Sequence, residues 1–256
     1  MVLAGEREGG NALAQARGLP SSLLVDLHGA PVLDWTLRAV AASQLERICL
    51  VGPGESVSDP LIERWRGRDD VDALEPALGP AASAARGVAR VGTPALVTTA
   101  DHALLLAPRI DDFVRSASAR AATAGADVVV GLVPYALVRE RFPGSRRTRL
   151  RFADLTACGA NLFYAHTPRA AALFEFWRLL EALRKTPHRM AGRLGWWTLV
   201  RYLTRTLSLD AAFRRISDRA GATVVPLLLD EAELAVDVDS EADLALAGRV
   251  LAERDA

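Results

Sequence analysis

The sequence predicts an α/β protein in which a mostly parallel sheet lies between two layers of helices, a three-layer α/β/α arrangement. Short β-type runs alternate with amphipathic helical stretches along most of the 256 residues, which is typical of parallel strands joined by helical crossovers. Half of the residues are hydrophobic, so a chain of this length can bury a substantial core. No internal repeat and no linker of altered composition interrupts the pattern, and we predict a single domain over residues 1–256.

The first half of the chain contains most of the predicted parallel strands. A strand ends at Val2-Leu3, before a glycine-rich loop. A turn at Gly29-Ala30-Pro31 opens a helix to about Ser43, because proline suits the first turn of a helix. The remaining elements of this half are the strands 48–51, 71–74 and 95–98 and the helices 60–66, 81–91 and 108–121.

The second half begins with the run 127–132, whose β-branched residues predict a fully buried central strand. A stretch rich in arginine follows around Pro143-Gly144, with Arg139, Arg141, Arg146, Arg147, Arg149 and Arg151. The remaining predicted elements are strands at 161–164 and 223–229, helices at about 168–184, 193–206 and 208–219, and a terminal helix at 241–253 that Ser240 caps. The three consecutive helices form a helical insertion near 168–219.

Charge and cysteine content argue against several classes of partner. The 31 basic and 31 acidic side chains balance, so there is no net charge to attract nucleic acid. Cys49 and Cys158 are too few and too far apart in the sequence for a disulfide framework or a zinc site, and we interpret them as buried thiols. We expect a cytoplasmic protein, because the sequence shows no signal peptide and no run of about 18 uncharged apolar residues.

Residues 184–205 combine basic side chains with Trp196, Trp197 and Tyr202. A helix of this composition suits peripheral contact with an anionic membrane or with a protein partner. A solvated arginine face whose aromatic side chains pack into the domain explains the same residues. Both interpretations stay open at this point.

Ligands of open α/β sheets bind beyond the carboxyl ends of the strands. Three loops in such positions contain residues suited to binding a phosphate group or a metal ion. Leu3-Ala4-Gly5 leads into a glycine-rich loop, where backbone amides can approach an anion and Arg7 can pair with phosphate. Asp101 follows a buried strand, a position suited to holding Mg²⁺. Asp237 and Asp239 lie one residue apart in an extended segment and so point the same way. Each of these segments also has a simpler interpretation, as a flexible loop or a helix cap.

Taken together, the segments resemble the MobA-like nucleotidyltransferase family. The motifs that carry the resemblance are Leu3-Ala4-Gly5-x-Arg7, Gly29-Ala30-Pro31-Val32-Leu33, Thr99-Ala100-Asp101-His102-Ala103-Leu104-Leu105 and Asp237-Val238-Asp239-Ser240-Glu241-Ala242-Asp243-Leu244. The resemblance implies a GT-A-type, Rossmann-like fold that binds a nucleoside triphosphate with about residues 1–135 and a phosphorylated acceptor with about residues 136–256. It also implies Mg²⁺-dependent transfer of a nucleoside monophosphate to a sugar, alditol or cofactor phosphate, with release of pyrophosphate.

The same resemblance implies roles for individual residues. Arg7 and Asp101 are the implied catalytic residues, and Asp101 and Asp239 are the implied Mg²⁺ ligands. The implied nucleotide-binding residues are Leu3, Ala4, Gly5, Arg7, Ala82 and Ser83. Arg17 and Ser22, which lie near the expected phosphate site, are further candidates for nucleotide binding. The resemblance also implies an acceptor-side loop that contains Gly159 and Asn161. Arg147 and Arg149 are candidate acceptor-binding residues for a different reason, because the arginine-rich stretch lies between two predicted strands of the C-terminal half.

The chain departs from the family pattern at two basic positions. Ser21-Ser22 stands where members commonly have a lysine that contacts the nucleotide phosphates, and Ala30 stands at another position that is frequently basic. Arg17, in the same loop, is a candidate replacement. Two further hypotheses therefore stand beside nucleotidyl transfer: a nucleotide-binding homologue with little or no transferase activity, and another GT-A enzyme that uses a nucleotide sugar.

Overall fold

A computed structural model describes residues 1–5, 11–55, 57–183, 186, 192–193 and 195–255. The strands in these ranges are β1 (Val2–Leu3), β2 (Asp26–Leu27), β3 (Ala30–Pro31), β4 (Ile48–Val51), β5 (Val71–Leu74), β6 (Ala95–Thr99), β7 (Val128–Pro134), β8 (Leu150–Arg151), β9 (Thr156–Ala165) and β10 (Val224–Leu228). The helices are α1 (Ala12–Gln15), α2 (Val32–Ala41), α3 (Pro60–Arg66), α4 (Pro80–Val91), α5 (Ala107–Ala124), α6 (Tyr135–Arg141), α7 (Ala170–Ala182), α8 (Trp196–Leu203), α9 (Leu209–Ala220) and α10 (Glu241–Asp255). Within the described ranges, no helix is both long enough and apolar enough to span a membrane.

The main sheet has the strand order β10-β7-β9-β6-β1-β4-β5, and β8 adds to β9. Strand β9 runs antiparallel to its neighbours β6, β7 and β8, whereas the other adjacent strands of the main sheet are parallel. The prediction of a mostly parallel sheet is confirmed. The prediction that the run 127–132 is the central strand is wrong, because β7 lies next to the edge strand β10; its burial comes from the neighbouring strands and the helices packed on it.

Helices cover both faces of the sheet, as the three-layer prediction requires. One core cluster contains Leu37 of α2, Phe113 of α5 and Val250 of α10. The second cluster contains Val88 of α4 and Phe174 of α7, together with residues of α9. The predicted helices 168–184 and 208–219 correspond to α7 and α9, and the described part of the predicted helix 193–206 corresponds to α8.

Strands β1 and β6 bring two of the predicted loops together. Leu3 pairs with Thr99 in the parallel register, and the amide of Ala100 donates a hydrogen bond of 2.9 Å to the carbonyl oxygen of Leu3. The chain therefore leaves β1 and β6 side by side, at the carboxyl edge of the sheet. On β9, Asn161 lies two residues before Phe163, the partner of Val97, so the antiparallel strand places Asn161 toward the same edge.

Candidate functional site

The end of β1 forms one side of the site. The amide of Ala4 donates to the carbonyl oxygen of Val51 at 2.8 Å, which fixes the strand end between β4 and β6. Leu3 and Ala4 are buried and Gly5 is exposed. A Cβ atom added at Gly5 would lie 3.3 Å from Cβ of Pro76, so this loop meets the segment that leads into α4. Arg7 lies outside the described residues, and its catalytic role stays a prediction.

Gly52 has no side chain, and this allows the backbone of the Leu3-Ala4-Gly5 segment to lie against it. Its φ angle is +86°, and a Cβ atom at this position would lie 2.9 Å from the carbonyl carbon of Ala4. The amide of Gly52 donates to the carbonyl oxygen of Leu74 at 2.8 Å. The positive φ and the close approach of two backbones together require glycine here.

The segment before α4 is held by the helix that it precedes. Ser83 is buried, and its Oγ accepts a hydrogen bond of 3.0 Å from the amide of Ala77. Ala82, its neighbour in the first turn of α4, is half-buried. The Ser83 hydroxyl thus already has a structural partner, and the nucleotide contacts of Ala82 and Ser83 stay predictions.

Arg17 and Ser22 lie between α1 and β2. Ser22 is buried at the start of a short 3-10 turn, Ser22–Leu24. The guanidinium of Arg17 makes a two-pronged ion pair with Glu241, in which Nη2 lies 2.8 Å from Oε2. This pair lowers the pKa of Glu241 and ties Arg17 to the first residue of α10.

Three carboxylates form a cluster at the carboxyl edge of β6. Asp101, Asp237 and Asp239 each offer an oxygen, and these oxygens all lie within 4.8 Å of one another. The amide of Val238 donates to the carbonyl oxygen of Asp101 at 3.0 Å, which holds the 237–239 segment against the strand end. The structure thus brings together the two predicted metal ligands and adds Asp237.

The cluster has the chemistry of a site for a hard divalent cation such as Mg²⁺. Oδ1 of Asp101 is buried and has no hydrogen-bond partner within the described residues. Burial raises the pKa of Asp101 to about 7; the Thr99 hydroxyl lowers it, and the charges of Asp237 and Asp239 raise it further. A cation bound by these three carboxylates would satisfy the orphaned oxygen and relieve the repulsion, so the residues present fit Mg²⁺.

Arg147 supplies the counter-charge on one side of the cluster. Its side chain is 6 % exposed and lies in ion-pair contact with both Asp237 and Asp243. Nη1 also donates to the carbonyl oxygen of Asp237 at 3.1 Å. The guanidinium that was predicted to bind the acceptor is therefore engaged with the segment that carries two of the clustered carboxylates. Nothing local in the sequence indicates this pairing, because its partners lie in the C-terminal part of the chain.

The other predicted acceptor residues lie on or near β9. Asn161 has a φ of +49°, a left-handed conformation that asparagine adopts more readily than most residues. Gly159 pairs with Leu132 where the register of β7 and β9 shifts. Arg149 lies apart from Arg147, with its guanidinium carbon 5.3 Å from the centre of the Tyr135 ring.

His102, the residue after Asp101, is 1 % exposed. Burial lowers the pKa of His102 to about 4, although the charge of Asp237 and the backbone of Leu234 act in the opposite direction. The imidazole is therefore neutral near pH 7. A neutral ring next to Asp101 in the sequence adds no positive charge that would compete with a cation for the carboxylates.

Comparison with known proteins places this arrangement in a family. A profile of the MobA-like NTP transferase domain matches residues 17–166. The chain belongs to this family. The matched range includes Asp101 and ends before Asp237 and Asp239, which the fold brings to the same site. A search of curated proteins returned no match.

Solved structures support the GT-A-type fold along the whole chain. A hypothetical transferase from Thermus thermophilus is 27% identical, with a TM-score of 0.72 over 95% of this chain and 99% of that one. A CMP:2-keto-3-deoxy-manno-octonic acid synthetase in complex with CTP is 10% identical, with a TM-score of 0.58 over 99% and 98% of the two chains. The 2-C-methyl-D-erythritol 4-phosphate cytidylyltransferase of Thermus thermophilus is 15% identical, with a TM-score of 0.51 over 97% of both. The last two similarities concern the fold alone.

Proposed function

We propose that the protein transfers a nucleoside monophosphate from a nucleoside triphosphate to a phosphorylated small-molecule acceptor and releases pyrophosphate. The observation that carries the proposal is the position of the Asp101, Asp237 and Asp239 carboxylates beside the end of β1. Family membership supports the reaction class. Two of the structural neighbours, a cytidylyltransferase and a synthetase in complex with CTP, favour CTP as the first nucleotide to test.

In this reaction an oxygen of the acceptor phosphate attacks the α-phosphorus of the triphosphate. A new oxygen–phosphorus bond forms, and the bond from the α-phosphorus to the oxygen that bridges to the β-phosphate breaks, so pyrophosphate leaves with that electron pair. The acceptor phosphate is itself the nucleophile, so no side chain forms a covalent bond. Mg²⁺ held by Asp101, Asp237 and Asp239 would supply positive charge against the triphosphate.

The protein's own residues would position the reactants. The backbone of Leu3-Ala4-Gly5 would frame the nucleotide, because the segment is fixed between two strands and opens onto the carboxyl edge. Arg147 would hold Asp237 in place through its buried ion pair. Holding two reactants in line accounts for a large part of the acceleration in reactions of this kind.

One observation favours a second candidate, a nucleotide-binding protein with little transferase activity. Arg17 is the candidate replacement for the phosphate-contacting lysine of the family, and its guanidinium is paired with Glu241. An arginine neutralised by a carboxylate contributes less positive charge to a phosphate site. Loss of one such electrostatic donor costs about 10²–10³ in rate in other enzymes.

The first experiment tests nucleotide binding. Thermal unfolding of the protein is followed with ATP, CTP, GTP or UTP, each with Mg²⁺ or with EDTA, because a ligand that binds the native state raises the melting temperature. We expect one nucleotide to give the largest shift, and we expect Asp101→Asn to reduce it. Asp218→Asn, which changes an exposed aspartate of α9, is the matched control. No shift with any nucleotide would refute both candidate functions.

The second experiment tests transfer. The preferred nucleotide is incubated with Mg²⁺ and a panel of sugar, alditol and cofactor phosphates, and pyrophosphate is measured. Acceptor-dependent release that Asp101→Asn reduces and Asp218→Asn leaves intact supports the transferase. Nucleotide binding with no release across the panel favours the binding protein.

A further inference from the structure

A separate groove lies beside the end of β7 and has a volume of about 350 Å³. It is lined by Tyr135, Arg149, Arg151, Phe152, Thr156 and Arg205, and we call it the arginine groove. Three segments meet here: the start of α6 at Tyr135, residues 149–156 around the β8–β9 hairpin, and the residues that follow α8. In the described part of the chain, no acidic residue lines it.

The three guanidinium groups of the arginine groove lack a counter-charge among the residues that the structure describes. Within those residues, none of Arg149, Arg151 and Arg205 lies within ion-pair distance of a carboxylate, whereas Arg147, two residues away from Arg149, contacts two. Uncompensated arginines that converge on one concave surface repel one another. An anion in the groove would remove that repulsion and could accept two-pronged hydrogen bonds from the planar guanidinium groups.

The walls of the groove are held by specific contacts. Arg149 lies over the ring of Tyr135 at 5.3 Å. The amide of Arg151 donates to the hydroxyl oxygen of Tyr202 on α8 at 3.4 Å, and the Tyr202 ring packs edge-on against Phe152 at 6.1 Å. These contacts fasten α8 to the groove, so a segment of the helical insertion forms part of its wall.

Arg205 occupies a backbone position that favours glycine. Its φ is +57°, and it follows the C-cap residue Thr204 of α8. The amide of Thr206 donates to the carbonyl oxygen of Arg201 at 2.8 Å, and the amide of Arg205 donates to that of Tyr202 at 3.1 Å. This is the Schellman arrangement, in which the left-handed position is usually glycine. An arginine there costs backbone strain, and such strain is commonly found at functional sites.

We propose that the arginine groove binds a phosphate monoester group of the acceptor and that Arg205 is a specificity-determining residue for it. That the bound molecule is the acceptor rests on the proposed function, whereas the binding of a phosphate group does not. Three guanidinium groups match a dianionic phosphate better than a single carboxylate, and a groove of this size suits a small molecule. The groove follows the carboxyl end of β7 and Asp101 follows that of β6, and only β9 separates these two strands. The groove and the aspartate cluster therefore lie at the same edge of the sheet.

The test measures binding of inorganic phosphate by calorimetry, in EDTA and without nucleotide, at constant ionic strength. The double variant Arg151→Gln/Arg205→Gln is expected to bind phosphate at least about ten-fold more weakly than the unmodified protein. Arg120→Gln, which changes an exposed arginine of α5, is the matched control and is expected to bind normally. Equal affinity in the double variant and the control, or no phosphate binding by the unmodified protein, would overturn the proposal.

Two single variants separate the side chain of Arg205 from its backbone. Arg205→Gly relieves the positive φ, so its melting temperature is expected to equal or exceed that of the unmodified protein, while its phosphate affinity falls. Arg205→Lys keeps the charge without the planar fork and is expected to restore part of the affinity. A folded Arg205→Gly protein with full affinity would count against the role of this residue.

The outcome is distinguishable from that of the proposed function. The protein could bind phosphate through Arg151 and Arg205 and yet transfer no nucleotide. That result would support the arginine groove as a phosphate site and refute the transferase activity. If transfer is found, the double variant is expected to raise KM for the acceptor more than it lowers kcat and to leave the nucleotide-induced thermal shift unchanged. Unaltered acceptor KM would reject the groove and leave the transferase intact.

Discussion

The amide nitrogen of Val238 donates a hydrogen bond to the carbonyl oxygen of Asp101, at 3.0 Å. This bond joins the C-terminal part of the chain to the end of β6. Because Asp237 and Asp239 flank Val238, it brings two more carboxylates to the buried side chain of Asp101. The cluster is therefore a product of the fold, and its mutual repulsion is a cost that a bound cation would remove.

Replacing Asp101 by asparagine is expected to affect metal-free and metal-bound protein in opposite directions. In EDTA at pH 7.5, Asp101→Asn removes a buried charge that has two like charges near it, so the melting temperature should rise. With millimolar Mg²⁺, the unmodified protein should gain stability and the variant should gain little, because it has lost a ligand. Differential scanning calorimetry of both proteins measures this.

Asp218→Asn is the control for the loss of one negative charge. It is expected to show the same Mg²⁺-dependent shift as the unmodified protein. An equal Mg²⁺ shift in Asp101→Asn would remove Asp101 from the metal site.

Asp101 and His102 should make opposite contributions to the pH dependence of stability in the metal-free protein. The pKa of Asp101 is raised to about 7 in the folded protein, so between about pH 4 and 7 the folded state binds more protons, and this carboxyl lowers stability as the pH rises. The pKa of His102 is lowered to about 4, so between about pH 4 and 6.5 the unfolded state binds more protons, and this imidazole raises stability as the pH rises.

Single variants should separate these two contributions. Asp101→Asn removes the carboxyl that lowers stability as the pH rises. The stability of this variant should therefore increase with pH across this window. His102→Asn should show the reverse slope, and the unmodified protein should lie between them. Urea unfolding in EDTA at pH 4.5, 5.5, 6.5 and 7.5 gives the three slopes. Parallel curves for all three proteins would contradict the assignment.

The position of Arg147 gives a third prediction. Its guanidinium is buried between Asp237 and Asp243, and Arg147→Met would leave both carboxylates without this partner. Removing one member of a buried ion pair typically costs about 3–5 kcal/mol, and urea unfolding at pH 7.5 should show a loss of this order. Arg17→Met breaks the exposed pair with Glu241 and is expected to cost far less. Similar losses of stability in the two variants would show that burial does not determine how much the Arg147 ion pairs stabilise the folded protein.

The sequence predicts correctly those helices and strands whose ends are fixed by residues next to them in the chain. Helix α3 begins at Pro60 and ends at Arg66, as expected, because Asp59 accepts from the amide of Leu61 and Gly67 ends the helix. In contrast, β9 begins at Thr156 rather than near 161. Its first residues are small and have no strand pattern of their own, and they become a strand because β7 and β8 pair with them.

The same limit applies to the site. Asp101 and Asp239 could be predicted, because each stands in a motif after or before a regular element. The pairing of Arg147 with Asp237 could not, since no periodicity relates two residues that only the tertiary fold brings together. The left-handed Arg205 is also invisible in the sequence, because glycine is the residue that normally indicates this conformation.

Gly52 provides the last prediction, which concerns the loop at the end of β1. Gly52→Ala would place a Cβ atom 2.9 Å from the carbonyl carbon of Ala4, and backbone cannot move away as a flexible side chain can. The strain at a φ of +86° adds to this contact, and we expect a loss on the order of 2–4 kcal/mol. Gly92→Ala is the matched control, because Gly92 has a φ of +80° but no atom within 4 Å of its added Cβ. It should lose about 1 kcal/mol.

The two glycine variants also test whether the end of β1 holds the nucleotide. The displaced atoms in Gly52→Ala belong to Ala4 and Gly5, so the thermal shift with the preferred nucleotide should shrink by more than the loss of stability alone explains. The shift in Gly92→Ala should stay as in the unmodified protein, because this glycine ends α4 at the opposite end from Ser83. A normal nucleotide shift in a folded Gly52→Ala protein would mean that the nucleotide does not contact the Leu3-Ala4-Gly5 backbone, and the site would then have to be sought around the aspartate cluster without it.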